Sequence, residues 1–279
     1  MTAILDGSTR LILHLGYPTE SFRAPLIYNP YFESIGLKAA VVPMGVKAED
    51  FGMVFPILRR ITNCHGALIT MPHKVSIVSM LDEVSDAVRI ANACNAVLRR
   101  ADGALIGDMF DGEGFVLAMK GKGQALGGGT ALVLGCGGVG SAIAAALARH
   151  GVSALRLFDR DPAVADGLAR RLGQFYPALR VQTGSNDPVG ADFVINATPL
   201  GMKPHDPMPL NVARLVPGVF VGDVVMTGGK TAFLAAAEAR GATIQLGIDM
   251  LYEQIPAYLA FFGFPVVDAG QLRALSKAR

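Results

Sequence analysis

A chain of 279 residues, 51% hydrophobic and 17% charged, can bury one large core or two medium ones. Its formal net charge of +2, with basic residues scattered along the chain and no basic run, gives no footprint for nucleic acid or an anionic membrane. Three cysteines, Cys64, Cys94 and Cys136, are too few and too widely spaced for a disulfide framework or a zinc site. The opening MTAILDGSTR lacks the pattern of a secretory signal, and charged, Gly or Pro residues interrupt each apolar run before it reaches the length of a bilayer span. The expectation is a soluble, cytoplasmic protein.

In chain order, short apolar runs alternate with amphipathic stretches. Leu11 to Leu13, Ala39 to Val42 and Ala67 to Ile69 read as buried strands, with helices predicted over Pro25 to Ile35 and Val75 to Leu81. Such alternation implies a parallel-rich α/β domain. The glycine-rich stretch KGKGQALGGG at 120–129 reads as a linker into a second unit. A βαβ pattern follows, with a strand over Thr130 to Leu134, a helix over Gly140 to Ala148 and a strand over Ala154 to Phe158. Asp192 to Asn196 and Val219 to Asp223 supply further strands. From about Ile244 a helical pattern runs through Met250, Leu251, Ile255 and Leu259, and this tail is expected to pack back on the first domain.

The motif with the clearest chemistry is Gly135-Cys136-Gly137-Gly138-Val139-Gly140, between the strand TALVL and the helix SAIAAALARHG. The first glycine makes a tight turn, the second lets backbone approach a pyrophosphate, and the third packs helix on strand. The helix start offers unpaired N–H groups to the anion. Asp159 follows at the distance of a ribose-binding acid, which favours NAD over NADP. Arg160 could instead favour a 2′-phosphate, with Asp161 opposing it. Asp159 could also be a solvated strand-end carboxylate.

Lys74 lies in Ile69-Thr70-Met71-Pro72-His73-Lys74 at a predicted helix start, with Thr70 as cap and Pro72 in the first turn. There the helix dipole and partial burial would disfavour its charge and suit it to proton exchange with an alcohol; a solvated surface lysine is the alternative. Asp111, in Gly107 to Phe115, could be presented into a cleft or could bond its own turn. Asn95 could bind a hydroxyl or close an Asx-turn, and Gln254 could simply face solvent. His65 and His73 lack metal-ligand spacing, so no metal is expected. Cys136 could be activated by the helix start or be a small filler of the glycine loop.

Together these residues resemble the shikimate/quinate dehydrogenase family. The match runs in order through Gly16-Tyr17-Pro18 to Pro25 and Asn29, then Thr70 to Lys74, Ala93-Cys94-Asn95 and Gly107 to Phe115. It continues through the glycine loop, Asn196 to Met202, Asp223, Thr231 and Gly247 to Gln254. The resemblance implies an α/β substrate and catalytic domain, residues 1–119 and 241–279, carrying an inserted Rossmann-like NAD(P) domain, residues 120–240, with a cleft between them. It implies a Lys74–Asp111 pair at the reacting hydroxyl, with substrate held by Asn95, Gln254 and Thr70. The cofactor positions it implies are the glycine loop, Asp159, Arg160, Thr198, Pro199, Met202, Val224 and Gly247. A ring hydroxyl of shikimate, quinate or a close analogue would be oxidised reversibly with NAD or NADP. The protein would be a monomer or homodimer working on a small molecule, without nucleic acid or membrane.

The departures from the family pattern bear on the substrate. Two serines that usually bind the substrate carboxylate are Phe22 and Ala24 here, and a usual asparagine is Leu68. The Asn-Thr usual before the aspartate is Met109-Phe110, a usual tyrosine is Met226, and a usual threonine is Ala96. Losing two hydrogen bonds to a carboxylate, each worth about 1.5–3 kcal/mol, would weaken shikimate binding by roughly two to four orders of magnitude. Ser21 and Arg23 stand beside the altered positions and could compensate; Arg23 could equally be a surface charge. Two other readings stay open: a paralogue acting on a cyclitol-like or amino-substituted ring, and a nucleotide-binding sensor without turnover.

Overall fold

The computed structural model describes residues 5–226 and 229–277. The chain divides into two compact units. The first comprises residues up to Val88, Asn92–Phe110 and the segment from Ile255 onward; the second comprises Arg89–Ala91 and Asp111–Gln254.

The first unit is built on a six-stranded sheet of β1 (Arg10–Gly16), β2 (Ala39–Gly45), β3 (Cys64–Ile69), β4 (Glu83–Val84), β5 (Ala96–Arg99) and β6 (Leu105–Asp108). The order is β2-β1-β3-β5-β6-β4. The three apolar runs read from the sequence form the parallel part, β2-β1-β3, while β5 runs antiparallel to both β3 and β6. The β5–β6 hairpin closes through Arg100 to Ala104, where Gly103 sits at φ +88°, a conformation that favours glycine. Two helices follow β1 and β2: α1 (Pro25–Ser34), opened by a first-turn proline, and the short α2 (Phe51–Val54). The short α3 (Asp86–Ala91) is capped by the Ser85 hydroxyl, which accepts from the Val88 N–H.

The helix predicted over Val75 to Leu81 does not form. Turns run from Met71 to Ile77, and a single 3-10 turn spans Val78–Met80. Val75, Ile77 and Val78 lose side-chain freedom in a helix, and the Ser76 and Ser79 hydroxyls donate to backbone carbonyls of His73 and Ser76. Lys74 therefore stands in a chain of turns, and the dipole of a regular helix does not act on it.

The second unit contains α4 (Asp111–Gly121), then β7 (Thr130–Leu134), α5 (Gly138–Arg149), β8 (Ala154–Phe158), α6 (Pro162–Phe175) and β9 (Arg180–Thr183). It continues with β10 (Phe193–Asn196), β11 (Phe220–Asp223), α7 (Ala232–Glu238) and β12 (Thr243–Gln245). All strand pairs are parallel in the order β9-β8-β7-β10-β11-β12. This is the doubly wound dinucleotide-binding order, whose ligands bind where the winding reverses, between β7 and β10. Apolar side chains fill both faces: Phe115, Ile143, Leu147, Leu155 and Leu168 on one, Leu132, Val194, Phe233 and Leu234 on the other. α4 belongs to this unit, ahead of the glycine-rich stretch, because it packs on α5. A Cβ on Gly112 would lie 2.0 Å from the Ala142 carbonyl oxygen.

The division after Gln254 falls inside α8 (Gly247–Phe261), which α9 (Ala269–Lys277) follows. The part beyond Gln254 packs on the first unit as expected, but the earlier part of that tail does not: Ile244 lies in a strand of the second sheet and Met250 in the second unit's core. Tyr31 donates its hydroxyl to the Pro265 carbonyl at 2.7 Å, a His65 ring nitrogen bonds the Phe262 carbonyl at 2.7 Å, and Arg10 lies over the Phe264 ring. Among the described residues no helix is long and apolar enough to cross a membrane.

Candidate active site and cofactor loop

In the second unit the glycine loop joins β7 to α5 at the switch point. Gly135 adopts φ +88°, and a side chain there would strike Ala197 and Thr198 at the end of β10. A Cβ on Gly140 would lie 1.8 Å from the Gly135 carbonyl oxygen, so the third glycine sets how closely helix meets strand. Gly137 differs: it caps α5, is exposed, and nothing lies within 4 Å of where its Cβ would be. No internal contact demands glycine there, and the open space leaves room for an external group to approach the backbone closely. Gly138 and Val139 open the helix beside it. These residues fit a dinucleotide pyrophosphate at the start of α5.

Asp159 directly follows β8, and its carboxylate accepts the Cys136 N–H at 2.7 Å and the Asp161 N–H at 3.0 Å. It is thus tied to the glycine loop, with Arg160 exposed beside it. Cys136 is no reactive thiolate: burial pushes its thiol up to about 12, and the Asp159 charge adds to this. Thr198 holds the turn after β10, its hydroxyl donating to Asn196 Oδ1 at 2.6 Å and accepting the Leu200 N–H. Pro199 and Met202 extend this turn. Val224 follows β11, and Gly247 opens α8, where a Cβ would lie 2.7 Å from both the Val224 and Val225 carbonyl oxygens.

Beneath these turns lies a buried polar cluster. Asp223 accepts from Asn196 Nδ2 at 3.1 Å, from the Thr231 hydroxyl at 2.7 Å and from the Val225 N–H at 3.0 Å. Burial raises its pKa despite these bonds. Asp111, the first residue of α4, is also buried, at 3% exposure. Gln254 is buried rather than solvent-facing, and its Oε1 has no hydrogen-bond partner. Such an oxygen costs stability unless a ligand meets it.

In the first unit the sequence motifs converge on the C-terminal ends of β1 and β3. Thr70 follows β3, its N–H donating to the Leu15 carbonyl and its methyl lying against Gly16. Lys74 is half-buried, and its carbonyl accepts the Cys94 N–H at 2.7 Å, which fixes the backbone under the side chain. Asn95 is buried, and its Oδ1 accepts the Phe110 N–H at 3.0 Å, so that oxygen is committed to the fold. His73 bonds the Val46 carbonyl and stacks on Phe51, a packing role, and no metal-ligand cluster occurs among the described residues.

The positions that depart from the family pattern are mostly shielded from solvent. Ala24 is buried at the start of α1, and the half-buried Phe22 stacks on His14 with centroids 4.1 Å apart. Leu68 and Met109 are likewise buried, while Met226 is exposed. Arg23 is exposed, and the side chain of Ser21 lies outside the described residues. Sequence reasoning passed over His14. Burial lowers its pKa to about 4, with the Lys74 charge contributing. Its one signal was a polar residue inside the apolar run LILHLG.

Residues 15–97 match the shikimate dehydrogenase substrate binding domain. The NADP-named shikimate dehydrogenase of Rubrobacter xylanophilus is 37% identical over 98% of this chain and 97% of its own. The chain belongs to the shikimate dehydrogenase family. It is accordingly an NAD(P)-dependent oxidoreductase. Among solved structures, the shikimate 5-dehydrogenase of Listeria monocytogenes, in complex with shikimate and NAD, superposes with a TM-score of 0.89 at 25% identity, over 99% of both chains. The quinate dehydrogenase of Corynebacterium glutamicum, in complex with NAD, does so with a TM-score of 0.86 at 27% identity, over 97% of this chain and 99% of its own.

Proposed function

We propose that this chain reversibly oxidises a ring hydroxyl of shikimate, quinate or a close analogue, with NAD favoured over NADP. The observation that carries the reading is the glycine loop at the switch point of a fully parallel sheet, in a chain of this family. The first unit carries Thr70, Lys74 and Asn95, and the second carries the dinucleotide-binding part, with Asp111 and Gln254 at the two ends of its main segment. Gly135, Gly137, Gly138, Val139 and Gly140 receive the pyrophosphate, Asp159 and Arg160 face the adenosine ribose, and Thr198, Pro199, Met202, Val224 and Gly247 line the remainder. Bound there, the dinucleotide supplies hydride exchange. Asp159 favours NAD because its carboxylate accepts from ribose hydroxyls and repels a 2′-phosphate.

Lys74 takes the proton of the reacting hydroxyl in oxidation and returns it in reduction. Lys74 is half-buried, and its primary amine is a group that can exchange a proton with an alcohol. Asp111 accepts a hydrogen bond from the same hydroxyl and fixes its orientation, and Asn95, Gln254 and Thr70 hold the ring. The unsatisfied Oε1 of Gln254 suits a hydroxyl donor. Of the residues beside the altered carboxylate positions, the exposed Arg23 is the available cation. The protein acts on a small molecule as a monomer or homodimer, which rests on the family resemblance, and in the cytoplasm, which rests on its few, scattered cysteines.

The test is the rate of NADH and NADPH formation with shikimate and with quinate over a wide concentration range, in the unchanged protein and in Lys74→Ala. Turnover that Lys74→Ala lowers by about 10²–10⁴-fold, with dinucleotide binding retained, is the expected result. Undiminished turnover in a folded Lys74→Ala protein refutes the role of Lys74.

A further inference from the structure

Alternation along β1 puts His14 two residues before Gly16 on the same face of the sheet. The register places Pro43 of β2 and Leu68 of β3 beside it, and neither side chain can hydrogen-bond its ring. Phe22 covers the ring, with an interplanar angle of 27°. His14 is 8% exposed, and its Nδ1 is buried without a hydrogen-bond partner. The atoms that would crowd a side chain on Gly16 are Thr70 Cγ2, the Met71 carbonyl oxygen and Phe22 Cζ, and the Lys74 charge acts on the imidazole. His14, Phe22, Thr70 and Lys74 thus gather at the ends of β1 and β3.

Two of these four, Thr70 and Lys74, belong to the substrate site argued above. An unpaired buried nitrogen destabilises a strand that leucine or valine would fill without penalty. A partner that arrives with the substrate removes the deficit. The chemistry of that partner follows from the ring. A neutral imidazole has one donor and one acceptor, and a hydroxyl has both as well. A hydroxyl can therefore meet Nδ1 in either tautomer, whereas a carboxylate only accepts and can meet it only as N–H.

We propose that His14 is a substrate-binding residue that hydrogen-bonds a ring hydroxyl of the substrate, with Phe22 holding the imidazole in place. The inference rests on the dehydrogenase reading of Lys74. It makes hydroxyl recognition, beside the reacting carbon, a determinant of specificity that the two missing serines do not supply.

The test uses the full chain, with shikimate and quinate as probes at saturating NAD or NADP. Two measurements are made: steady-state kinetics of His14→Leu and His14→Gln, and the imidazole nitrogen resonances of His14, assigned by their loss in His14→Gln. His14→Leu is expected to raise KM for the alcohol about tenfold without changing KM for the dinucleotide. His14→Gln, which keeps a donor and an acceptor, should recover most of that loss, and the His14 resonances should move when the alcohol is added. Turnover with an unmoved resonance and an unchanged KM in His14→Leu overturns the proposal. If His14→Leu does not fold, His14→Gln and the resonances decide it. If the unchanged protein oxidises neither alcohol but one of them moves the His14 resonances, the dehydrogenase reading falls and the His14 assignment stands. Silence in both measurements refutes both.

Discussion

Two glycines of one loop should respond to the same substitution in opposite ways. In Gly140→Ala the new methyl would sit 1.8 Å from the Gly135 carbonyl oxygen and 3.1 Å from the Ala197 methyl. Neither is the free end of a flexible side chain, so α5 must move away from β7 by more than an ångström. Overpacking of this kind costs about 3 kcal/mol. For a unit of this size that lowers the melting temperature by about 6–12 °C. In Gly137→Ala the methyl meets nothing within 4 Å, and φ at −70° suits alanine. The stability change should stay within about 1 kcal/mol, since alanine restricts the unfolded chain but caps a helix slightly worse than glycine. Dinucleotide affinity should nevertheless fall by an order of magnitude or more, because the methyl occupies the space the pyrophosphate needs. Thermal unfolding and titration with NAD and NADP read the two effects separately. A Gly137→Ala protein that binds dinucleotide normally would refute the assignment of this loop. A Gly140→Ala protein of unchanged stability would refute the packing argument.

Other expectations concern single groups. The His14 pKa falls from 6.5 in the unfolded chain to about 4 in the fold, so the native state takes up its proton later. Stability should therefore drop as pH falls from about 6.5 to 4, by about 3 kcal/mol, and level off below; denaturant titrations of His14→Gln should lack that slope. Restoring both hydroxyls in Phe22→Ser with Ala24→Ser should lower KM for shikimate by two orders of magnitude or more, less whatever the lost Phe22–His14 stacking takes back. An unchanged KM would mean that the substrate carboxylate lies elsewhere. Asp159→Asn should raise kcat/KM with NADPH relative to NADH, and a fixed ratio would show that Asp159 does not face the ribose.

The nucleotide unit was legible because its determinants are local. A strand of apolar residues, a glycine loop and a helix start follow one another in a single stretch of chain, and the acid tied to the loop lies a short way downstream. The helix predicted over Val75 to Leu81 failed because apolar spacing was weighed without the serines that compete for the backbone carbonyls. Lys74 was singled out by its motif, but the dipole environment expected for it vanished with that helix. The mixed strand order of the first sheet was not legible, since pairing β5 with β3 and β4 with β6 joins residues distant in sequence. His14 escaped notice for a related reason. In sequence it is one polar residue in a strand; only the register against Pro43 and Leu68 shows that its neighbours leave it unpaired.

The division of the chain also sets an order of assembly during synthesis. Nearly all of the second unit lies between Asp111 and Gln254, so its parallel sheet can close while later codons are still being read. The first unit has its sheet complete by Asp108, yet Tyr31, His65 and Arg10 must wait for Pro265, Phe262 and Phe264 to emerge. A nascent chain stalled before those residues would carry a finished nucleotide unit and an uncovered substrate sheet. The part of the protein made first is thus the part that must be shielded longest, and the C-terminal helices act as its closing clasp.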